Sequence, residues 1–292
     1  MADVPVWPDC DRRCPFCSNP TSGYRARTAE HSLAALRRRL LAYKTGEGRF
    51  LKFNEARDNL TLTGGEPTLH PDFLPLLRFI RREFPRASLR LLTHGRRFSE
   101  TSFSRRVLSA AGAPLEVAVN LGGPLSSLGP SLEGLRTLLR LRGSGQEVEA
   151  RVVLTRTGLK SLPRLLGTLL KEGPPPDRLT LIFPEFEGHA ERAFRSVGMR
   201  MGECAATLSS LKGLLSRFRE ARLYHFPLCA LPPDLRPLSR RTLDPAKVVF
   251  ALSCRDCGLR PRCVGIHKSY ARRLGVREFL PESSRADGSV VE

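Results

Sequence analysis

CDRRCPFC, residues 10–17, sets Cys10, Cys14 and Cys17 in a C-x3-C-x2-C spacing with an aromatic residue, Phe16, just before the last cysteine. Three thiolates this close in sequence can hold three corners of a cubane iron–sulfur cluster and leave the fourth iron open to a small chelating molecule. A zinc knot or a chance cluster of structural thiols is the competing reading. Structural zinc favours C-x2-C pairs and takes four protein ligands, whereas this run contains one such pair.

Moving outward along the chain, residues 59–67 read NLTLTGGEP. Alternating β-branched and apolar residues make a strand, and the two glycines after it allow a turn with close backbone approach to a ligand. Glu66 adds an acceptor at the strand end, and Pro67 stops the strand and removes one donor. Alone this is compatible with an ordinary βα turn. About fifty residues after a cysteine triplet, it reads as the second half of one site.

Together these motifs resemble the radical S-adenosylmethionine (radical SAM) superfamily. The resemblance implies a [4Fe–4S] cluster on Cys10, Cys14 and Cys17, with Phe16 beside it and an open iron that binds S-adenosyl-L-methionine. It further implies that Gly64, Gly65 and Glu66, matching the family's GGE motif, contact the methionyl amino group. Reductive cleavage would then give a 5′-deoxyadenosyl radical, and a one-electron donor such as a flavodoxin or ferredoxin would be required.

The order of segments predicts repeated strand–helix units. Strands are expected near Val4–Trp7, Asn59–Thr63, Leu89–Thr93, Leu115–Leu121, Val148–Thr155 and Leu179–Phe183. Helices are expected over Thr28–Tyr43, Phe73–Phe84, Ser102–Ala110, Leu132–Leu141 and Leu162–Leu170. Six such steps imply an α/β fold, a partial (β/α)6 TIM-like barrel over residues 1–200, with the strands' C-terminal ends on one face. Both motifs fall on that face. Asn120 at the end of the fourth strand is placed for the ribose or methionine part of S-adenosylmethionine. Thr155 and Arg156 end the fifth, with Arg156 set to pair with the carboxylate. His94 stands where relatives often carry asparagine in a Thr-Asn-Gly run, so a turn or supporting function is expected of it. Glu185 and Glu187 follow the sixth strand as candidates for neutralising substrate cations or for surface placement.

A second cysteine set lies in the C-terminal part. Cys254, Cys257 and Cys263 occur in CRDCGLRPRC, and Cys229 can fold back to join them after a helix over Leu208–Phe218. Four thiolates would saturate a second [4Fe–4S] cluster, and they would equally make a structural zinc site. The arrangement is similar to the auxiliary-cluster extensions, twitch or SPASM, found after the barrel in radical SAM enzymes, although its spacing departs from the full SPASM pattern. The expected organisation is a barrel to residue 200, a small cysteine-rich extension over 201–280, and a flexible tail over 281–292. Cys204 belongs to neither set and reads as a buried apolar residue or, alternatively, as an alternate ligand. His225 and His267 read as hydrogen-bonding residues.

The 292 residues carry 48 basic and 29 acidic side chains, a formal charge of +19. The arginines are scattered and no RNA-binding module is visible, so RNA is a weaker substrate candidate than a peptide or small metabolite. No apolar run reaches membrane length and no signal peptide is apparent, which points to the cytoplasm and to metal ligation rather than disulfides. A ribosomally made precursor peptide is the first substrate expected. With the first cysteine at position 10, precursor recognition is expected from a partner protein or from the barrel surface. Outside enzymes, the remaining class is a zinc or iron–sulfur protein that binds nucleic acid.

Overall fold

The computed structural model describes residues 2–20, 23–48 and 52–282. Eight strands form one sheet in chain order: β1 (Ala2–Trp7), β2 (Asn59–Gly64), β3 (Ser88–Thr93), β4 (Leu115–Asn120), β5 (Gln146–Val153), β6 (Arg178–Ile182), β7 (Ala221–Tyr224) and β8 (Ser239–Arg240). Every neighbouring pair is parallel. Among the described residues β8 does not pair with β1, so the sheet is an open, partial barrel.

Helices Leu33–Thr45, Phe73–Glu83, Thr101–Ala111, Gly129–Leu141 and Leu162–Lys171 return the chain between the first six strands. Their buried faces follow helical periodicity: Phe73, Leu76, Leu77 and Ile80 line one side of the second. The helix expected over Thr28–Tyr43 is split. Ser32 is extended and caps Leu33–Thr45 by accepting from the N–H of Ala35 at 3.4 Å, leaving Thr28–His31 as a separate 3-10 turn.

Six barrel strands were expected, and among the described residues the sheet has eight. β7 is only four residues long and β8 two, too short to give a period-2 signal beside the proline-rich stretch between them. The helix expected over Leu208–Phe218 is Met201–Ser210, followed by one turn over Lys212–Leu215; Leu211 leaves helical geometry at φ −99° and ψ 6°.

Alternation along the strands separates two environments. Leu89 and Leu91 on β3, and Val117 and Val119 on β4, belong to the apolar layer of the core. The alternate positions carry charge. Arg90 stands opposite Glu116, and Glu149 opposite Arg178. Arg90 pairs with Glu116 and Glu149 at 2.5 Å each, and Arg178 pairs with Glu116 and with Glu220 at 2.9 Å. This ion lattice fills the lower barrel interior. Above it Leu92, Ala118, Asn120, Arg151 and Val153 open into a cavity.

Beyond β8, β9 (Val248–Val249) and β10 (Ile266–His267) form an antiparallel pair ahead of the helix Lys268–Leu274. Aromatic packing joins this region to the barrel: Tyr270 lies 5.7 Å from Phe183, 5.9 Å from Phe186 and 5.5 Å from Phe279, ring centre to ring centre. Each such pair contributes about 0.5–1.5 kcal/mol beyond its burial. The tail expected over 281–292 lies outside the described residues from residue 283 on.

Candidate active site

The two N-terminal motifs are docked backbone to backbone. The N–H of Gly65 donates to the carbonyl of Trp7 at 2.6 Å, and that of Glu66 to the carbonyl of Asp9 at 2.8 Å. Only glycine permits this approach. A Cβ on Gly64, which has φ +129°, would lie 2.4 Å from the Trp7 oxygen, and one on Gly65 would lie 2.2 Å from the Asp9 oxygen. The far end of the cysteine loop returns to the same turn, with Asn19 Nδ2 donating to the Gly64 carbonyl at 2.8 Å. Arg25 braces the loop by donating to the carbonyls of Cys10 and Arg12 at 2.7 Å each.

Cys10, Cys14 and Cys17 line a cavity of about 260 Å³ with Phe16, Gly64, Gly65, Glu66, Asn120 and Arg151. Burial pushes the Cys10 thiol up to about 11, and it also raises Cys14. Such thiols stay protonated until a cation compensates the thiolate charge, as in a site that exchanges protons for metal. Phe16 is buried, and its ring edge occupies the space a Cβ on Gly122 would need, 2.5 Å away. Asn120 Oδ1 accepts from the N–H of Gly122 at 2.9 Å, so its amide nitrogen is left for the cavity.

Glu66 is 1% exposed. Its Oε1 accepts from the Thr68 N–H at 3.2 Å, the Thr68 hydroxyl at 2.6 Å and the Thr93 hydroxyl at 2.7 Å. Its Oε2 accepts from the His94 N–H at 2.8 Å. One oxygen is therefore saturated and the other retains accepting capacity.

Thr155 and Arg156 are not among the residues lining this cavity. The Thr155 hydroxyl accepts from the Gly158 N–H at 2.9 Å and caps a single turn, while Arg156 Nε donates to the Gly198 carbonyl at 2.6 Å. The cavity cation on β5 is Arg151, held by Glu149 at 3.3 Å and lying 5.5 Å over the Tyr224 ring. Sequence reasoning passed over it. The signal was its interior-facing parity with Glu149 and Val153, two residues away on either side.

Cys229, Cys254, Cys257 and Cys263 surround one small pocket with Phe250, Leu259, Ile266 and Phe279. Burial, reinforced by the three neighbouring thiols, pushes Cys229 up to about 12. Cys263 Sγ accepts from the N–H groups of Leu228 and Gly265 at 3.4 Å each. Cys204 is fully buried in the helix Met201–Ser210, where burial raises its thiol strongly.

Two further groups of ligand-type atoms gather within 4.8 Å: Cys10, Asp11 and His94, and Glu185, Glu187 and His267. In the second, the carboxylates hold the Lys247 ammonium at 2.8 and 3.0 Å, and His267 Nδ1 accepts the Ser269 N–H at 3.1 Å. That cluster is thus occupied by the chain's own cation.

The radical SAM superfamily pattern matches residues 4–153, just over half of the chain, and the chain belongs to that superfamily. No curated protein matches it. Among solved structures it is similar to Streptococcus suis SuiB bound to the precursor peptide SuiA, at 13% identity and TM-score 0.52, covering 75% of this chain and 48% of that one. SuiB alone gives 14% identity and TM-score 0.49, covering 76% and 47%. The chain spans about half the length of these relatives, and the likeness is one of fold. Among the described residues no helix is long and apolar enough to cross a membrane.

Proposed function

We propose that this enzyme carries a [4Fe–4S] cluster on Cys10, Cys14 and Cys17, binds S-adenosyl-L-methionine on its open iron, and modifies a ribosomally made precursor peptide. When bound, the reduced cluster and S-adenosylmethionine supply a 5′-deoxyadenosyl radical that takes a hydrogen atom from a substrate C–H bond. The observation that carries the reading is the GGE turn locked by glycine contacts against the chain entering Cys10. It sets the Glu66 carboxylate and three half-buried thiols around one cavity.

In this reading the free capacity of Glu66 Oε2 takes the methionyl ammonium. Arg151, rather than Arg156, takes the carboxylate, because it lines the cavity and is pre-oriented by Glu149 and Tyr224. Phe16, Leu92, Ala118 and Val153 exclude water from the reacting atoms. A cytoplasmic flavodoxin- or ferredoxin-type protein serves as the electron donor. The peptide substrate is supported by the shared fold with SuiB, which was crystallised with its precursor peptide.

For the C-terminal set the reading is an auxiliary [4Fe–4S] cluster in an extension after the barrel. Cys229, Cys254 and Cys257 are half-buried and Cys263 is buried around one small pocket, a donor set able to give each iron of a second cubane its own thiolate.

The test is anaerobic reconstitution of the wild type and of two variants, Cys10/Cys14/Cys17→Ala and Cys229/Cys254/Cys257/Cys263→Ala. Iron, sulfide, zinc and 5′-deoxyadenosine are counted, and a precursor peptide encoded beside the gene is weighed for a mass change. About eight irons in the wild type and about four in each variant are expected. Nucleoside is expected whenever the N-terminal set is intact. Folded wild type without iron or nucleoside overturns the reading, and one zinc at the C-terminal set overturns its auxiliary part.

A further inference from the structure

We infer that His94 is a positioning residue for the N-terminal cluster: it pins the Asp11 carboxylate beside Cys10 and offsets the charge that this carboxylate places next to the cluster. The inference rests on the cluster assignment above and adds a residue pair outside the cysteine and GGE motifs.

Three observations carry it. First, His94 is 7% exposed and its Nε2 lies 2.7 Å from Asp11 Oδ1. Its Nδ1 accepts the backbone N–H of Arg96 at 3.2 Å, which leaves the proton on Nε2 to donate to Asp11. Second, the Cys10 sulfur, an Asp11 carboxylate oxygen and a His94 ring nitrogen all lie within 4.8 Å of one another. The carboxylate therefore stands against a cluster-ligating sulfur, and one of its oxygens is fixed by a ring from the end of β3. Third, the same ring nitrogen is 3.4 Å from Glu66 Oε2, so His94 is wedged between two carboxylates. Arg96 NH1 reaches the other Asp11 oxygen at 3.3 Å, although that ion pair is half exposed and more strongly screened.

Net charge and hydrogen bonding around the ligating sulfurs are the protein's means of setting an iron–sulfur potential. An uncompensated carboxylate at this distance opposes the arrival of an electron. A buried N–H donated to it lessens that opposition and also holds the loop that presents Cys10. Asparagine at position 94 is too short to span the same gap, whereas glutamine keeps an N–H at greater reach.

The experiment is a redox titration of the reconstituted enzyme, followed at the electron paramagnetic resonance signal that S-adenosylmethionine perturbs. His94→Asn is expected to lower the midpoint potential, and Asp11→Asn, which removes the charge, to raise it. His94→Gln is expected to return it toward wild type. In the double variant His94→Asn/Asp11→Asn, the lowering by His94→Asn disappears because its target charge is gone. A merely structural contact would move both single variants in one direction. Shifts of the same sign, or unchanged midpoints at full iron content, overturn the inference while leaving the cluster assignment standing. If His94→Asn fails to hold iron, Arg96→Gln reads the same carboxylate from its other oxygen; an unchanged midpoint there, with Asp11→Asn also unchanged, overturns the inference. Folded wild type without a cluster overturns the underlying assignment instead.

Discussion

The backbone carbonyl of Cys17 accepts the N–H of His189 at 2.9 Å, so the last cysteine of the N-terminal loop is fixed by the chain leaving β6. The residue before His189 makes this possible. Gly188 has φ +59°, and a Cβ there would lie 2.3 Å from the Asn19 carbonyl oxygen.

Gly188→Ala should therefore push the cysteine loop away from the cavity. Strain at a positive φ combined with a backbone clash is expected to destabilise by about 2 kcal/mol or more. Iron content should fall at the N-terminal set while the C-terminal set keeps its own. Gly167→Ala is the control, since an added Cβ in the helix Leu162–Lys171 would meet nothing within 4 Å beyond its chain neighbours and its own helix backbone. That change should stabilise by up to about 1 kcal/mol. Thermal unfolding with parallel iron analysis checks both, and an undisturbed Gly188→Ala protein would rule out the proposed fit.

Glu66 supplies the carboxylate of the cavity lining and accepts four hydrogen bonds. Glu66→Gln keeps the shape but turns an NH2 group toward a set of donors, leaving buried groups unmatched. A loss of about 2–3 kcal/mol is expected in chemical denaturation. Thr93→Val removes one donor to Glu66 and the acceptor for the Gly95 N–H at 3.0 Å, and about 1 kcal/mol is expected. Equal stability of wild type and Glu66→Gln would mean that the carboxylate is not anchored as described.

Lys247 ends the turn that leads into β9, His267 lies on β10 opposite Val248, and both face Glu185 and Glu187. The Glu185 carboxyl loses hydration on burial, but hydrogen bonds from His267 and Lys247 outweigh this and hold it down to about 2. Lys247→Met should release the pair from the barrel rim. Hydrogen exchange is expected to quicken at Val248–Val249 and Ile266–His267, with β2–β5 unchanged. Unaltered protection would show that the aromatic contacts of Tyr270 hold this region alone.

The long strands, the glycine turn and both cysteine sets were legible because their signals are local. Period-2 alternation, a Gly-Gly pair and fixed Cys spacings do not depend on distant parts of the chain. Arg151 and the split between Thr155 and the cavity were not, because they turn on where β5 ends. The strand stops at Val153, so Thr155 and Arg156 already belong to a capped turn. A boundary error of two residues exchanges a cavity arginine for one bonded to Gly198. The His94–Asp11 contact was equally hidden, since it joins residues 83 positions apart.

His225 follows β7 in a left-handed conformation, φ +71°, with Nδ1 donating to the Phe183 carbonyl at 3.0 Å. Burial lowers it from the ordinary 6.5 to about 4, against the opposing pull of Glu185 and the Phe183 carbonyl; His267 and Arg151 add to the lowering. The fold therefore requires the neutral ring. Its contribution is complete above pH 6.5 and is lost as pH falls from 6.5 toward 4, to a total of up to about 3 kcal/mol. Asparagine tolerates the left-handed backbone and does not titrate. His225→Asn should thus lose the Phe183 hydrogen bond, about 1 kcal/mol at pH 7.5, yet decline less steeply than wild type between pH 7.5 and 5. Denaturation midpoints of the two proteins across that interval should converge, and parallel slopes would show that the ring is protonated in the fold without penalty.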